Sequence, residues 1–84
     1  MVSLVEHSIE VVTARIARAS AAAKDMARLE AFFVEQGEAT RSSDLMSAAY
    51  HLGSARVRAL YAVEAWQHDL AYLQSYTASE MEAS

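Results

Sequence analysis

Two long stretches of this chain place apolar residues at alternating steps of four and three, the spacing of one face of an α-helix. The first stripe consists of Val5, Ile9, Val12, Ile16, Ala19, Ala23, Met26 and Phe33. The second stripe consists of Leu45, Ala49, Leu52, Ala59, Val63, Trp66, Leu70 and Leu73. A half-buried strand would alternate with a period of two, so this spacing predicts two long helices.

Residues that form turns are scarce in this chain. Its 84 residues include no Pro, no Asn, no Cys and only 2 Gly, while 54% are hydrophobic. Sandwiches and barrels need many turns, disulfide scaffolds need cysteine, and disordered chains are poor in apolar residues. What remains is a single all-α domain, and two stripes joined by one polar segment predict an antiparallel two-helix hairpin with coiled-coil-like packing.

The first helix is predicted over about 3–36. Ser3 and Glu6 have the spacing of a capping box, in which a hydroxyl and a carboxylate satisfy amides at the start of a helix. Gly37 is the predicted stop, because glycine readily takes the left-handed conformation that ends many helices. The polar residues 37–42 form the predicted turn.

The second helix is predicted over about 43–77, followed by a mobile tail at 78–84. Either Ser42 or Ser43 caps this helix, and Asp44 suits the positive end of its dipole.

Gly53 lies inside the second helix, where a glycine costs about 1 kcal/mol relative to alanine. The helix either runs through Gly53 or breaks into 43–52 and 54–77. The apolar stripe keeps its phase on both sides, which favours a continuous helix.

One charged residue interrupts each stripe, Glu30 in the first and Arg56 in the second. A turn at 37–42 makes the numbers of facing residues add up to about 80. This register predicts the cross-helix pairs Glu30–His51 and Asp25–Arg56, which would fix the alignment of the helices more than they stabilise it. The alternative is that these are rim residues whose charged ends reach solvent.

Three tyrosines of the second helix, Tyr50, Tyr61 and Tyr72, are spaced by eleven residues, which brings a helix almost back to the same direction. This line lies opposite the apolar stripe. Tyrosine combines an apolar ring with a polar tip, which suits interfaces. The predicted partner-binding residues are Met46, Tyr50, Val57, Tyr61, His68 and Tyr72. The alternative is that they are ordinary surface residues.

The stripe of the first helix is wider than one partner helix can cover, because Leu4, Val11 and Leu29 flank it. Short chains also bury a limited fraction of their surface alone. We therefore expect a bundle completed by a homodimer or by another helical protein.

No catalytic motif is present: the sequence has no glycine-rich phosphate loop and no His-Glu-x-x-His pattern. His7, His51 and His68 are the possible metal ligands, but solvated surface histidines are more common, so we expect no metal, cofactor or small-molecule substrate. Gly53 with Arg56 and Arg58 loosely resembles a helix-turn-helix. A net charge of −4 opposes phosphate binding, so a nucleic-acid partner is not favoured.

Charge is unevenly placed along the chain. Residues 1–14 and 59–84 hold six carboxylates and no Lys or Arg, while 15–58 hold all seven basic residues against five acids. This pattern permits an antiparallel dimer, or a basic partner at the open end of the hairpin. The first ten residues carry two carboxylates and no Lys or Arg, unlike a secretory signal, and no apolar run is long enough for a membrane span, so we expect a cytoplasmic location.

In outline the hairpin resembles small bacterial or phage helical proteins: type III secretion co-chaperones, secreted hairpins of the type VII class, and phage-encoded inhibitors. Tyr76 and Glu80 fit the tail signal of the type VII class, but its Trp-x-Gly turn is absent. The resemblance transfers no site. We expect a non-enzymatic adaptor, small chaperone or inhibitor. The alternatives are a self-assembling structural protein and, less favoured, a nucleic-acid regulator.

Overall fold

The computed structural model describes residues 3–83 and consists of two long α-helices packed against each other. Helix α1 spans Leu4–Thr40 and helix α2 spans Ser43–Ala83. The described residues contain no strand. The hairpin is a flat rod of 65 × 20 × 12 Å. The predicted all-α two-helix hairpin is therefore confirmed.

Both helices begin at a serine cap. Ser3 is extended, and its side chain accepts a hydrogen bond from the backbone N–H of Glu6 at 3.1 Å. At the start of α2, the N–H of Leu45 donates to Oγ of Ser42 at 3.2 Å. These hydroxyls satisfy amides that have no partner within the helix. Ser42, rather than Ser43, is thus the cap of α2.

The prediction that Gly37 ends the first helix is wrong. Helix α1 continues to Thr40, and Arg41 takes the left-handed conformation, with φ 55° and ψ 39°. The carbonyl of Gly37 accepts hydrogen bonds from the N–H groups of Arg41 and Ser42. Gly37 itself has no positive φ.

Gly37 is needed instead because a side chain at this position would collide with Met46 of α2. A Cβ added there would lie 2.7 Å from Sδ of Met46 and 3.3 Å from its backbone nitrogen. The missing side chain lets the first turn of α2 approach α1 closely, which makes the short connection between the helices possible.

Replacing Arg41 by glycine should stabilise the hairpin. The left-handed conformation costs a non-glycine residue about 1–2 kcal/mol, part of which is offset by the greater freedom of glycine in the unfolded chain. We expect a net gain of about 1 kcal/mol, or about 4–8 °C in melting temperature. Arg41→Ala keeps the unfavourable φ and is the matched control. Equal melting temperatures for the two variants would contradict this account.

Helix α2 has no break at Gly53, as the phase of its stripe predicted. It also continues to Ala83 rather than ending near Thr77. No proline or glycine lies between Thr77 and Ala83, so nothing in the sequence forces an earlier stop. The mobility expected of 78–84 stays a prediction, and Ser84 lies outside the described residues.

The core of the hairpin is thin. Burial is described for residues 3–77, and within them only four are buried: Ala23, Gly37, Ala49 and Val63. No large side chain in this part is fully buried. The apolar stripes do face each other, but most of their residues stay half-buried because one helix covers only part of each.

Candidate interaction face

The two charges that interrupt the stripes pair with each other. Nε of Arg56 lies 3.1 Å from Oε2 of Glu30, and the side chains of the pair are 31% and 30% exposed. The predicted pairs Glu30–His51 and Asp25–Arg56 are wrong. Asp25 lies instead 3.7 Å from Arg28 on the same helix, and exposed His51 contacts the ring of Tyr50 edge-on.

The register explains this pairing. Because α1 runs to Thr40, the turn is displaced toward the C-terminus, and α2 is shifted relative to the predicted alignment. The four buried residues lie seven positions from the ion pair, Ala23 and Gly37 along α1, and Ala49 and Val63 along α2. In an antiparallel pair this places Ala23 opposite Val63 and Gly37 opposite Ala49. The ion pair is therefore flanked by the tightest layers of the hairpin.

Gly53 makes room for Glu30. A Cβ added to Gly53 would lie 2.9 Å from Oε1 and 3.2 Å from Cδ of Glu30. The carboxylate thus lies against the bare backbone of α2, one turn of helix from Arg56. The cost of a glycine inside a helix is offset here by the position it allows for the carboxylate.

The effect of Gly53→Ala should depend on Glu30. Alanine is favoured over glycine in a helix by about 1 kcal/mol, but the new methyl group would displace the carboxylate from Arg56. We expect little net change in the wild-type background and a gain of about 1 kcal/mol in a Glu30→Ala background. Denaturant unfolding of the four proteins measures the coupling. Equal gains in both backgrounds would show that Gly53 makes no room for Glu30.

The tyrosines predicted to bind a partner lie on the surface of α2 that faces away from α1. Tyr50, Tyr61 and Tyr72 are 73%, 68% and 72% exposed. Val57 and His68 are also exposed. We call these five residues the tyrosine face. These side chains contribute little to the packing between α1 and α2. From Tyr50 to Tyr72 they extend along about 33 Å of the exposed side of α2.

Met46 is the exception among the predicted residues. Its sulfur lies over Gly37, so this side chain packs against α1 at the hairpin end. Although 39% exposed, Met46 lies at the edge of the tyrosine face and is not part of it.

A shallow groove of about 470 Å³ opens beside the N-terminal half of the tyrosine face. It is lined by Glu30, Tyr50, Gly53, Ser54, Arg56, Val57 and Arg58. Gly53, which has no side chain, and the paired Glu30 and Arg56 all line this groove. This groove was not predicted from the sequence. Its one signal there was Gly53, a glycine inside a helix whose apolar stripe continues without interruption.

Helix α1 also carries exposed apolar side chains. Leu4, Leu29 and Phe32 are 82%, 47% and 53% exposed, and Phe32 lies edge-on to Phe33. These residues confirm that the first stripe is wider than α2 can cover.

No cluster of three metal-ligating side chains occurs in the described part of the chain. None of its helices has the length and apolar character needed to cross a bilayer. Comparisons with protein-family models, with curated proteins and with solved structures give no match.

Proposed function

We propose that this chain is a non-enzymatic protein–protein interaction module, an adaptor, small chaperone or inhibitor, that binds its partner through the tyrosine face. The observation that carries the proposal is the placement of Tyr50, Tyr61 and Tyr72. They lie in one line on the side of α2 that hairpin packing leaves open, and each is about 70% exposed. Tyrosine is enriched in interfaces because its ring buries a large area while its hydroxyl stays hydrated.

The grooves of the hairpin support a binding role rather than catalysis. The groove beside the tyrosine face is shallow and open, whereas enzymes enclose their substrates to exclude water. A self-assembling structural protein is the second candidate. The uneven charge along the rod supports it, because acidic and basic halves attract when two rods lie antiparallel.

Truncation of one tyrosine tests the proposal. Tyr72→Ala removes a ring from the tyrosine face, and Phe32→Ala removes an exposed ring from α1 as a matched control. We expect Tyr72→Ala to lower the capture of stoichiometric partners, or self-association, by about tenfold, a loss common for interfacial aromatics. Phe32→Ala should leave both unchanged. Quantitative mass spectrometry of captured proteins and light scattering measure these two readouts, and equal behaviour of both variants would exclude the tyrosine face.

A further inference from the structure

We infer that the partner on the tyrosine face is a second copy of this chain, lying antiparallel and centred on Tyr61. This inference rests on the proposed function. Tyr50 and Tyr72 are each eleven residues from Tyr61. In an antiparallel two-fold pair, every position meets the position equally far on the other side of the centre, so an interface must be complementary to itself. The pairing places Tyr61 next to its own copy and Tyr50 level with Tyr72 of the second copy.

The shape of the surface fits the same arrangement. The groove beside Gly53 and Ser54 lies seven to eight residues before Tyr61, whereas the bulky His68 and Tyr72 lie seven and eleven residues after it. Antiparallel pairing brings His68 of the second copy level with Ser54. The groove of each copy thereby faces His68 of the second copy, and by symmetry the contact occurs twice.

Charge complementarity favours the antiparallel direction. Arg58 and Asp69 are both exposed and lie on the same flank of the tyrosine face, on either side of Tyr61. In the proposed pair, Arg58 lies about 7.5 Å along the helix axis from Asp69 of the second copy, a distance that an extended arginine side chain covers. A parallel pair would instead place the acidic open ends of both rods together.

The buried area is also of the right order. A tyrosine buries about 150–250 Å² when it is fully covered, so three of them supply several hundred Å² in each copy. Val57, His68 and the groove walls add to this area. A standard interface buries about 800 Å² per partner.

Exchange of charges tests both the partner and its direction. We expect light scattering of the wild-type chain at micromolar concentration to give twice the 9.2 kDa of one copy. Arg58→Asp and Asp69→Arg should each weaken the dimer about tenfold, since two attractive pairs become repulsive. The combined variant should return to within about threefold of wild type, because the pairs are restored with exchanged signs. Arg28→Asp makes the same charge change on α1 and should leave the dimer unchanged.

Disulfide trapping reads out the register independently. The chain has no cysteine, so introduced thiols can pair only with each other. Oxidation of mixed Ser54→Cys and His68→Cys proteins should give a cross-linked heterodimer, because these positions approach to disulfide distance in the proposed pair. Neither protein alone should cross-link efficiently.

The outcomes separate the inference from the proposed function. A monomeric wild-type chain whose tyrosine face still captures another protein overturns the inference and leaves the function in place. A dimer in which the charge exchange gives no rescue and positions 54 and 68 do not cross-link overturns the antiparallel arrangement. A dimer with rescue and cross-linking supports it. If Tyr72→Ala lowers neither capture nor self-association, the proposed function fails as well.

Discussion

Val63→Glu should unfold the hairpin. Val63 is 8% exposed and lies in the layer opposite Ala23, which is 4% exposed. A glutamate there would hold an unpaired charge where the helices are in closest contact, at a cost of about 3–5 kcal/mol. The free energy of unfolding of a domain this small is about 4–12 kcal/mol, so most of it would be lost. Far-UV circular dichroism should show a large loss of helix near room temperature.

Leu60→Glu is the control for this prediction. Leu60 precedes Val63 by three residues and is 46% exposed, so the same chemical change there leaves the charge in water. We expect the helical signal to persist and the melting temperature to fall by only a few degrees. If Val63→Glu melts like Leu60→Glu, then Val63 does not lie in the closest layer between the helices.

Tyr61→Glu should abolish association while the hairpin stays folded. Tyr61 is 68% exposed on the side of α2 away from α1, so a glutamate there meets water in the isolated chain. In the complex it would place a charge at the centre of the tyrosine face, where truncation of a hot-spot residue costs about 2 kcal/mol or more. That corresponds to a loss of affinity of about thirtyfold or more. Sedimentation equilibrium measures the loss, and circular dichroism reports whether the helices remain.

Leu29→Glu provides the comparison on α1. Leu29 is 47% exposed and belongs to the flank of the first stripe. We expect this variant to associate like the wild type. The opposite result, with Tyr61→Glu unaffected and Leu29→Glu impaired, would move the interface to the flank formed by Leu4, Val11 and Leu29.

Local rules explain which parts of the hairpin were predictable. The four-and-three spacing predicted both helices and their facing sides, and Ser3 was correctly placed as a cap because capping depends on residues three positions apart. The continuity of α2 at Gly53 followed from the phase of the stripe. The exposure of Tyr61 followed from its position opposite the buried Val63.

The ion pair was not predictable in the same way, because it depends on where the turn lies. Gly37 is a residue type that commonly ends helices. Its actual role is to leave space for the side chain of Met46, and this role depends on the position of α2. An error of a few residues in the turn shifts every facing pair along the rod. The misplaced turn therefore led to the predicted pair Glu30–His51 instead of Glu30–Arg56. For the same reason the groove beside Gly53 and that pair was not predicted.

The position of the four buried residues has a consequence for amide hydrogen exchange. All of them lie within one heptad of the Glu30–Arg56 pair, and the two nearest the open end, Ala23 and Val63, lie near the middle of their helices. Local opening exposes amides wherever few apolar contacts resist it. Backbone protection should therefore be greatest in the layers of Ala23 and Ala49 and decline steadily toward Ser8 and Leu73. Helices α1 and α2 would separate first at the open end, where the chain termini lie, while their contacts near the turn persist.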